Sequence, residues 1–403
     1  MTPPRPVAGG ALAGVRVIEL ARFIAGPMIG MLLADYGAEV IKVEHPASGD
    51  GIRTWGGRKN GVGLYHKVLN RNKRAVTADL RTPMGRDIVT RLVRDADVLT
   101  ESFRPGTLER WGLGPETLHA VNPALVLLRV SGFGQTGPYR DRPGFGTLAE
   151  AMTGFAYTNG FADRPPLLPA FALADTTTGL SGAFLILAAL NARHGNGGRG
   201  QVIDLPIYDP LLTMLGPHVV EYDQLGVVPE RSGSRLPLIA PRGTFQTRDG
   251  RWIAVSAGAQ SIFAGLCTAL GIPELADDPR FADNPSRRDN EDALEAILRE
   301  AFRGFDQAEL LQRLESRGAA AAPIYSVAEI VADPHASARD NFVAVWDEEF
   351  QCELRMQNVI GKLSATPGVV ARPAPPLGAD NRRVLVEELG LEPEALERAG
   401  IAL

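Results

Sequence analysis

Val15 to Glu19 (VRVIE) is an apolar run that leads into the small-residue turn Ala25-Gly26-Pro27. Met28 to Leu33 then has helical character, and Glu39 to Val43 (EVIKV) is a second short apolar run. A strand, a tight turn, a helix and another strand in that order form a unit whose strands lie parallel, the helix crossing one sheet face. The same alternation continues downstream. Thr82 is suited to cap a helix, and Pro83 falls at its first position, where the missing N–H costs nothing. Ile88, Leu92 and Val93 give that helix an apolar face. Val98–Thr100 and Leu125–Val130 read as further strands, Thr176 to about Arg193 as a long helix, and Gln201–Leu205 (QVIDL) as a returning strand. The fold class is therefore α/β with a largely parallel sheet. The first turn lacks the GxGxxG fingerprint and reads Ala25-Gly26-Pro27-Met28-Ile29-Gly30. Its small residues serve either close ligand approach or close helix–sheet packing, and a conventional dinucleotide site is disfavoured.

A chain of 403 residues exceeds one ordinary core and predicts two domains. Residues 226–243 are loop-like, with Pro229, Pro237 and Pro241, and mark a boundary. Trp252–Ser256 reads as a strand, followed by charge-patterned helical segments to about Gly318. Beyond Pro323 the texture changes: Arg339–Leu363 is β-rich, while Leu385–Leu389 and Glu394–Ala399 are helical. The division is 1–225, 226–325 and 326–403. With 45% hydrophobic and 22% charged residues the composition is that of a globular chain. No apolar stretch of about 18 residues lacks polar breaks, so no membrane span is expected. Met1–Gly10 resembles a loose leader, not a signal core. Cys267 and Cys352 are unlike a CxxC pair, which predicts reduced thiols and a cytoplasmic location. No His/Asp/Glu cluster has metal-ligand spacing. A net charge of -5 argues against nucleic-acid binding. From Arg53 to Arg142, however, sixteen Lys/Arg face eight Asp/Glu, which suits a small polyanionic ligand or, equally, a solvated basic face.

Six stretches in register carry a resemblance: Leu12–Leu20 leading to Ala25-Gly26-Pro27; Leu33–Glu44 with Gly49-Asp50; Asn72-Lys73-Arg74 with Asp79-Leu80 and Thr82-Pro83; Glu101–Gly106 with Gly112-Leu113-Gly114; Ser131–Pro138; and Ala174-Asp175 through Gly179 with Gly198–Gln201. Weaker matches follow at Asp249-Gly250 and Pro376-Leu377-Gly378. Together they resemble the CaiB/BaiF, or class III, CoA-transferases, the formyl-CoA transferase-like family, over nearly the whole chain. The resemblance implies a Rossmann-like large domain built from both chain ends, a smaller central α+β domain, and an interlocked, ring-like homodimer with the site between domains. It implies coenzyme A and acyl-CoA as substrates, with no tightly bound cofactor.

The resemblance also implies site residues. Asp175 falls where family transferases carry their nucleophile, which attacks the thioester and passes through an aspartyl anhydride and an aspartyl-CoA thioester. Asp175 before Thr-Thr-Thr is also an ordinary helix N-cap, and that helix start is a candidate source of oxyanion-binding N–H groups. Arg22, Ile24, Ala25, His45, Arg81, Ser102, Phe103, Arg104 and Arg110 occupy CoA-contact positions, with Phe103 suited to stack on adenine and the arginines to bind phosphates. Where the formyl-CoA transferases carry glutamine this chain has Ile24, which speaks against oxalate. The family's glycine-rich substrate loop is reduced to Ala257-Gly258-Ala259-Gln260, and Arg242 is a candidate clamp for a distal carboxylate. Most transferases carry aspartate where Gly146 stands; Glu150 is a candidate replacement. The donor is expected to be succinyl-CoA, and the acceptor a dicarboxylate or hydroxy-acid.

Three alternatives stay open. A 2-methylacyl-CoA racemase of the same fold needs a base on each face of the α-carbon, and the Arg142–Glu150 region holds no histidine. A non-catalytic CoA-binding protein would not need Asp175. A nicotinamide-dependent oxidoreductase would need the missing fingerprint.

Overall fold

Five of the apolar runs and one more polar strand assemble into one parallel sheet. They are β1 (Arg16–Glu19), β2 (Glu39–Glu44), β3 (Arg74–Thr77), β4 (Val98–Glu101), β5 (Val126–Ser131) and β6 (Val202–Pro206). Their spatial order is β3-β2-β1-β4-β5-β6, the order of a doubly wound dinucleotide-type sheet. This computed structural model describes residues 9–403; residues 1–8 of the expected leader lie outside the described residues. β3 escaped the sequence reading because Arg74-Ala75-Val76-Thr77 is too short and too polar to stand out as a strand.

Two compact units are present. The first holds the described residues up to Phe155, Pro169–Val219 and His335–Leu403; the second holds Ala156–Leu168 and Val220–Pro334. The central unit thus runs to Pro334 and takes in Ala156–Leu168, beyond the expected 226–325. In it β7 (Arg242–Gln246), β8 (Trp252–Ser256) and β9 (Ala321–Pro323) form an antiparallel sheet. Helices including Gln260–Ala269 and Glu291–Arg303 bury Phe263, Leu266, Leu294, Leu298 and Phe302 against it. The β-rich C-terminal region is one hairpin in the first unit, β10 (Phe342–Asp347) with β11 (Cys352–Gln357).

The helix after β1, α1 (Ala25–Asp35), is buried along its whole length. Its small residues serve packing. A Cβ on Gly26 would lie 2.2 Å from the Ala21 Cβ, and one on Gly30 would lie 1.9 Å from Glu19 Oε2. Next comes α2 (Pro83–Arg94), capped as expected by Thr82, whose hydroxyl accepts from the Gly85 N–H at 3.1 Å. The short α3 (Gly146–Met152) follows β5, and the long α4 (Leu173–Gly195) packs on α1 through Gly179 and Gly182, against Met28 and Ile29. The 23-residue α4 is long and apolar enough to cross a membrane by length and composition alone. One of its faces is buried in the fold, while Leu180, Phe184 and Leu187 are exposed on another.

Beneath the β1–α1 turn lies a buried ionic cluster. Glu19, wholly buried, accepts from Lys42 Nζ at 3.0 Å and from Lys73 Nζ at 2.8 and 2.9 Å. Lys42 also meets Asp50 at 2.9 Å and the Ala21 carbonyl at 2.8 Å; Lys73 also donates to the Pro27 carbonyl at 2.7 Å. Burial draws Lys73 down to about 8 against the pull of Glu19. It works in the same direction on Lys42, but Asp50, Glu19 and Glu44 outweigh it and hold that ammonium above its ordinary value. Much of the basic surplus between Arg53 and Arg142 is consumed in such pairs: Arg53 with Glu44, Lys67 with Asp347, Arg71 with Asp35, Arg74 with Glu388, and Arg129 with Glu101 and Glu109.

Removing one member of a buried charge cluster strands the others without compensation. Glu19→Gln should therefore cost about 3–5 kcal/mol of stability, read as a lowered denaturation midpoint at unchanged slope in urea melts.

Candidate active site

In a doubly wound sheet, ligands bind beyond the carboxyl ends of the strands, where the strand order reverses. Here that point lies between β1 and β4, so its rim is made by residues 20–24 and 102–105. The two turns are tied together. The Arg22 N–H donates to Ser102 Oγ at 2.8 Å. Phe23 sits at φ 66, a conformation uncommon for a non-glycine residue. Its N–H is held on the Asp50 carboxylate at 3.0 and 3.2 Å. The Phe103 N–H rests on Glu101 Oε2 at 2.7 Å, and Glu101 in turn accepts from Arg129 Nε at 2.8 Å. Burial raises the Glu101 carboxyl to about 7 even though Arg129 opposes it.

Two clefts open on this rim. One, of about 240 Å³, is lined by Arg22, His45, Gly49, Arg81, Phe103 and Trp111, among others. The second, of about 170 Å³, is lined by Arg22, Ala25, Phe103, Arg104, Phe145 and Asp175, among others. Arg22 and Phe103 line both, so the clefts are neighbours that share two walls, a two-part groove with His45 in one part and Asp175 in the other. Phe103 packs edge-on against Trp111, ring centroids 5.0 Å apart. At the far side Phe23 contacts Trp55 (5.0 Å) and Phe145 (6.2 Å), making an aromatic wall.

The expected contact residues divide into three groups. Arg22, Ala25, Phe103 and Arg104 reach the Asp175 cleft, and Ser102 lines it beside them. His45 and Arg81 line the other cleft, where Arg81 chelates Asp79 through Nε and Nη2, both at 2.8 Å, and stands 2.8 Å from His45 Nε2. That ion pair holds the Asp79 carboxyl down at about 2. Two residues point elsewhere. Ile24 is packed in an apolar cluster with Met28, Met31 and Ile52, and Arg110 Nη2 donates to Thr107 Oγ1 at 2.9 Å. Gly258, Ala259, Gln260 and Arg242 belong to the second unit. There the fully buried Arg287 donates to the Gly258 carbonyl and to Gln260 Oε1, each at 2.5 Å, which pins the shortened loop. Arg242 Nη1 is committed to the backbone carbonyls of Ser234 and Arg235 at 2.8 and 3.2 Å, an assignment that competes with the clamp expected of it.

Asp175 is not an N-cap. Its helix, α4, begins at Leu173, so Asp175 is the third residue of the first turn, and Ala172 occupies the cap position without a side-chain bond. The capping carboxylate comes from Glu150, which is buried and accepts from the Ala174 N–H at 3.2 Å. The Leu173 and Thr176 N–H groups are bonded to the Phe171 and Ala172 carbonyls. The first-turn N–H groups named here are thus engaged in the fold, contrary to the expectation that this helix start would offer them to an oxyanion. Burial first, and then the nearby Glu150 charge, raise the Asp175 carboxyl to about 6.

Gly146 explains itself at this point. A Cβ there would stand 2.2 Å from Asp175 Oδ2, so the carboxylate occupies the space that a side chain would need. The loop leading to it is closed at a neck: a Cβ on Gly132 would lie 2.4 Å from the Gly144 Cα. Between the neck residues the chain makes an exposed excursion that carries Tyr139, Arg140 and Arg142. Neither the neck nor the Glu150 cap has a local sequence signal. The Arg142–Glu150 segment, free of histidine, brings no imidazole to the Asp175 cleft, and none lines it.

Comparison with known proteins agrees with this geometry. The sequence model of CoA-transferase family III matches residues 12–381. The succinyl-CoA–D-citramalate CoA-transferase of Chloroflexus aurantiacus is 45% identical over 397 residues, 98% of this chain and 96% of that protein. The beta subunit of the succinyl-CoA–L-malate CoA-transferase of the same organism is 42% identical over 383 residues, 94% of each chain. The crystal structure of a CaiB/BaiF family protein from Brucella suis superposes with a TM-score of 0.83 at 37% identity, covering 94% of this chain and 99% of that one.

Two outcomes follow for Asp175. With a folded-state pKa of about 6 against an ordinary 3.8, the folded chain binds the proton more tightly than the unfolded chain. Stability therefore falls as pH rises from about 4 to 6, and the deficit is complete above that. Asp175→Asn should raise stability at pH 8 by roughly 1–3 kcal/mol, a gain that fades below about pH 4, read by thermal melts at both pH values. Gly146→Ala should push the carboxylate out of its seat while leaving the melting temperature within a few degrees, with the displacement visible in a crystal structure.

Proposed function

The chain belongs to CoA-transferase family III, and from that premise we propose that Asp175 is its covalent nucleophile, moving coenzyme A from succinyl-CoA to a hydroxy-dicarboxylic acid. One observation carries the reading: a half-buried carboxylate, raised to about 6, stands in a cleft whose other charged lining groups are arginines. A carboxylate with a raised pKa is ionised at neutral pH yet more nucleophilic than an ordinary one.

The groove suits an extended ligand. Arg81 and His45 meet the nucleotide phosphates, Arg81 by sharing its guanidinium with Asp79. Phe103 offers a ring face to the adenine, and Arg22, Ala25, Ser102 and Arg104 guide the pantetheine arm toward Asp175. An Asp175 oxygen adds to the thioester carbonyl, the C–S bond breaks, and the CoA thiolate leaves a mixed anhydride on Asp175. The thiolate then adds to the Asp175 carbonyl, and the anhydride C–O bond breaks to release succinate and leave aspartyl-CoA. The incoming acid attacks that thioester, its carboxylate displaces thiolate to make the second anhydride, and the thiolate takes the acyl group. Asp175 is returned as a carboxylate and no proton is gained or lost. Phe23, Phe145 and Ile207, which line the cleft, keep water from the anhydrides, and the guanidinium groups of Arg22 and Arg104 stabilise the developing oxyanions in place of helix N–H donors. The choice of donor and acceptor is supported by the names of the relatives, which use succinyl-CoA with D-citramalate or L-malate. The reading includes a homodimer, supported by the uncovered Leu180, Phe184 and Leu187 face of α4, and a cytoplasmic location, supported by the free thiols of Cys267 and Cys352.

Intact mass after incubation with succinyl-CoA tests this reading. The wild-type protein should gain a CoA-sized adduct that hydroxylamine removes, and Asp175→Ala should gain none. Loading should fall about tenfold per pH unit below about 6, as the carboxylate protonates. A wild-type protein that binds CoA yet never acquires the adduct, with any acyl donor, would sink the aspartyl mechanism.

A further inference from the structure

The Asp175 cleft is lined by four arginines, Arg22, Arg104, Arg140 and Arg142. Elsewhere in the first unit, arginines near the sheet are matched to carboxylates, as Arg71 is to Asp35 at 2.5 Å and Arg129 is to Glu101 at 2.8 Å. In the cleft they are not. Among the described residues, Arg22, Arg104 and Arg142 make no ion pair, and Arg140 only approaches the exposed, adjacent Asp141 at 3.5 Å. Unmatched cations around a single carboxylate leave the cleft with a surplus of positive charge, which a bound anion would neutralise.

Arg22 and Arg104 stand on the strand-end turns, beside the path assigned to the CoA arm. Arg140 and Arg142 come from the excursion closed by Gly132 and Gly144, and line the same cleft as Asp175. Arg142 is held: its guanidinium lies 3.7 Å from the centroid of the Tyr139 ring. Stacking orients a planar fork without consuming its N–H donors. A fork of that kind is the bidentate partner of a carboxylate.

We propose that Arg142, assisted by Arg140, binds the distal carboxylate of the dicarboxylic acyl group while the proximal carbonyl is presented to Asp175. This rests on the transferase reading above and adds to it the residues that select a dicarboxylate over a monocarboxylate. The excursion loop then takes the role that sequence considerations gave to Arg242.

Succinyl-CoA and butyryl-CoA differ only in whether the far end of the acyl chain is a carboxylate or a methyl group. The test compares the rates at which each loads the full-length wild type, Arg142→Gln, Arg142→Lys and Arg140→Gln/Arg142→Gln with a CoA adduct, by intact mass. The wild type should load from succinyl-CoA in preference to butyryl-CoA. Arg142→Gln should slow succinyl-CoA loading about tenfold to a hundredfold, the range for losing a hydrogen bond to a charged group. It should leave butyryl-CoA loading unchanged. The double variant should erase the preference, and Arg142→Lys, a charge without the fork, should restore only part of it. Equal losses with both donors would show that these arginines serve CoA or the fold, and an undiminished preference in the double variant would show that they do not meet the acyl group; either result overturns the proposal while leaving the aspartyl mechanism standing. A wild type that loads from neither donor overturns both.

Discussion

Everything at the crevice hangs on one buried carboxylate. Glu19, at the end of β1, neutralises Lys42 and Lys73, and these two ammonium groups grip the carbonyls of Ala21 and Pro27 on either side of the β1–α1 turn. Asp50, the second partner of Lys42, holds the Phe23 N–H and so sustains a left-handed conformation at an aromatic residue. A purely apolar core could pack beneath such a turn but could not fix its carbonyls. Charge burial is costly and is tolerated here because the acids and amines satisfy one another. The cluster also explains the composition of α1. Gly30 has no side chain because the Glu19 carboxylate is already there, and Gly26 lets the helix start close over Ala21.

At the chemical end of the groove the electrostatics run in opposition. Burial and Glu150 disfavour the Asp175 charge, whereas the arginines that line the cleft favour anions. The two tendencies act side by side: the fold keeps the Asp175 carboxylate poorly solvated, and the arginines favour an anionic partner next to it. An ordinary surface aspartate would be ionised but inert, and one paired with an arginine would be bound too well to attack. Glu150 contributes from behind by capping α4, and it thereby holds the first turn in which Asp175 stands.

The sheet was largely legible in the sequence, because buried parallel strands are short apolar runs and five of the six could be read that way. Thr82-Pro83 announced its helix by local chemistry, and the observed cap agrees. α4 starts three residues before the Thr176 that its sequence suggests. Asp-Thr-Thr-Thr resembles a cap, whereas Leu173 and Ala174 offer no capping signal because their cap arrives from Glu150, far back in the chain. The ionic cluster was illegible for the same reason. Lys42 lies within an apolar strand and Lys73 follows a helix, and only the fold brings both to Glu19. Seven of the nine residues that the resemblance implies as contacts line one of the clefts; Ile24 and Arg110 line neither, because a backbone turn aims one into the core and Thr107 captures the other's guanidinium. Arg140 and Arg142 went unnoticed, since nothing in an exposed Arg-Asp-Arg tripeptide distinguishes a cleft wall from a solvated loop.

The neck at Gly132 and Gly144 sets that loop apart from the rest of the site. Because the two backbones touch, the chain leaves and re-enters the fold at nearly the same place, and Gly146 sits only two residues past the closure. Gly134 and Gln135 are still tied to the fold through Ser131 and Asp204, and beyond them the exposed stretch 136–143 stands out from it. A change of length or charge within residues 136–143 would therefore alter one wall of the cleft while leaving the seat of Asp175 in place.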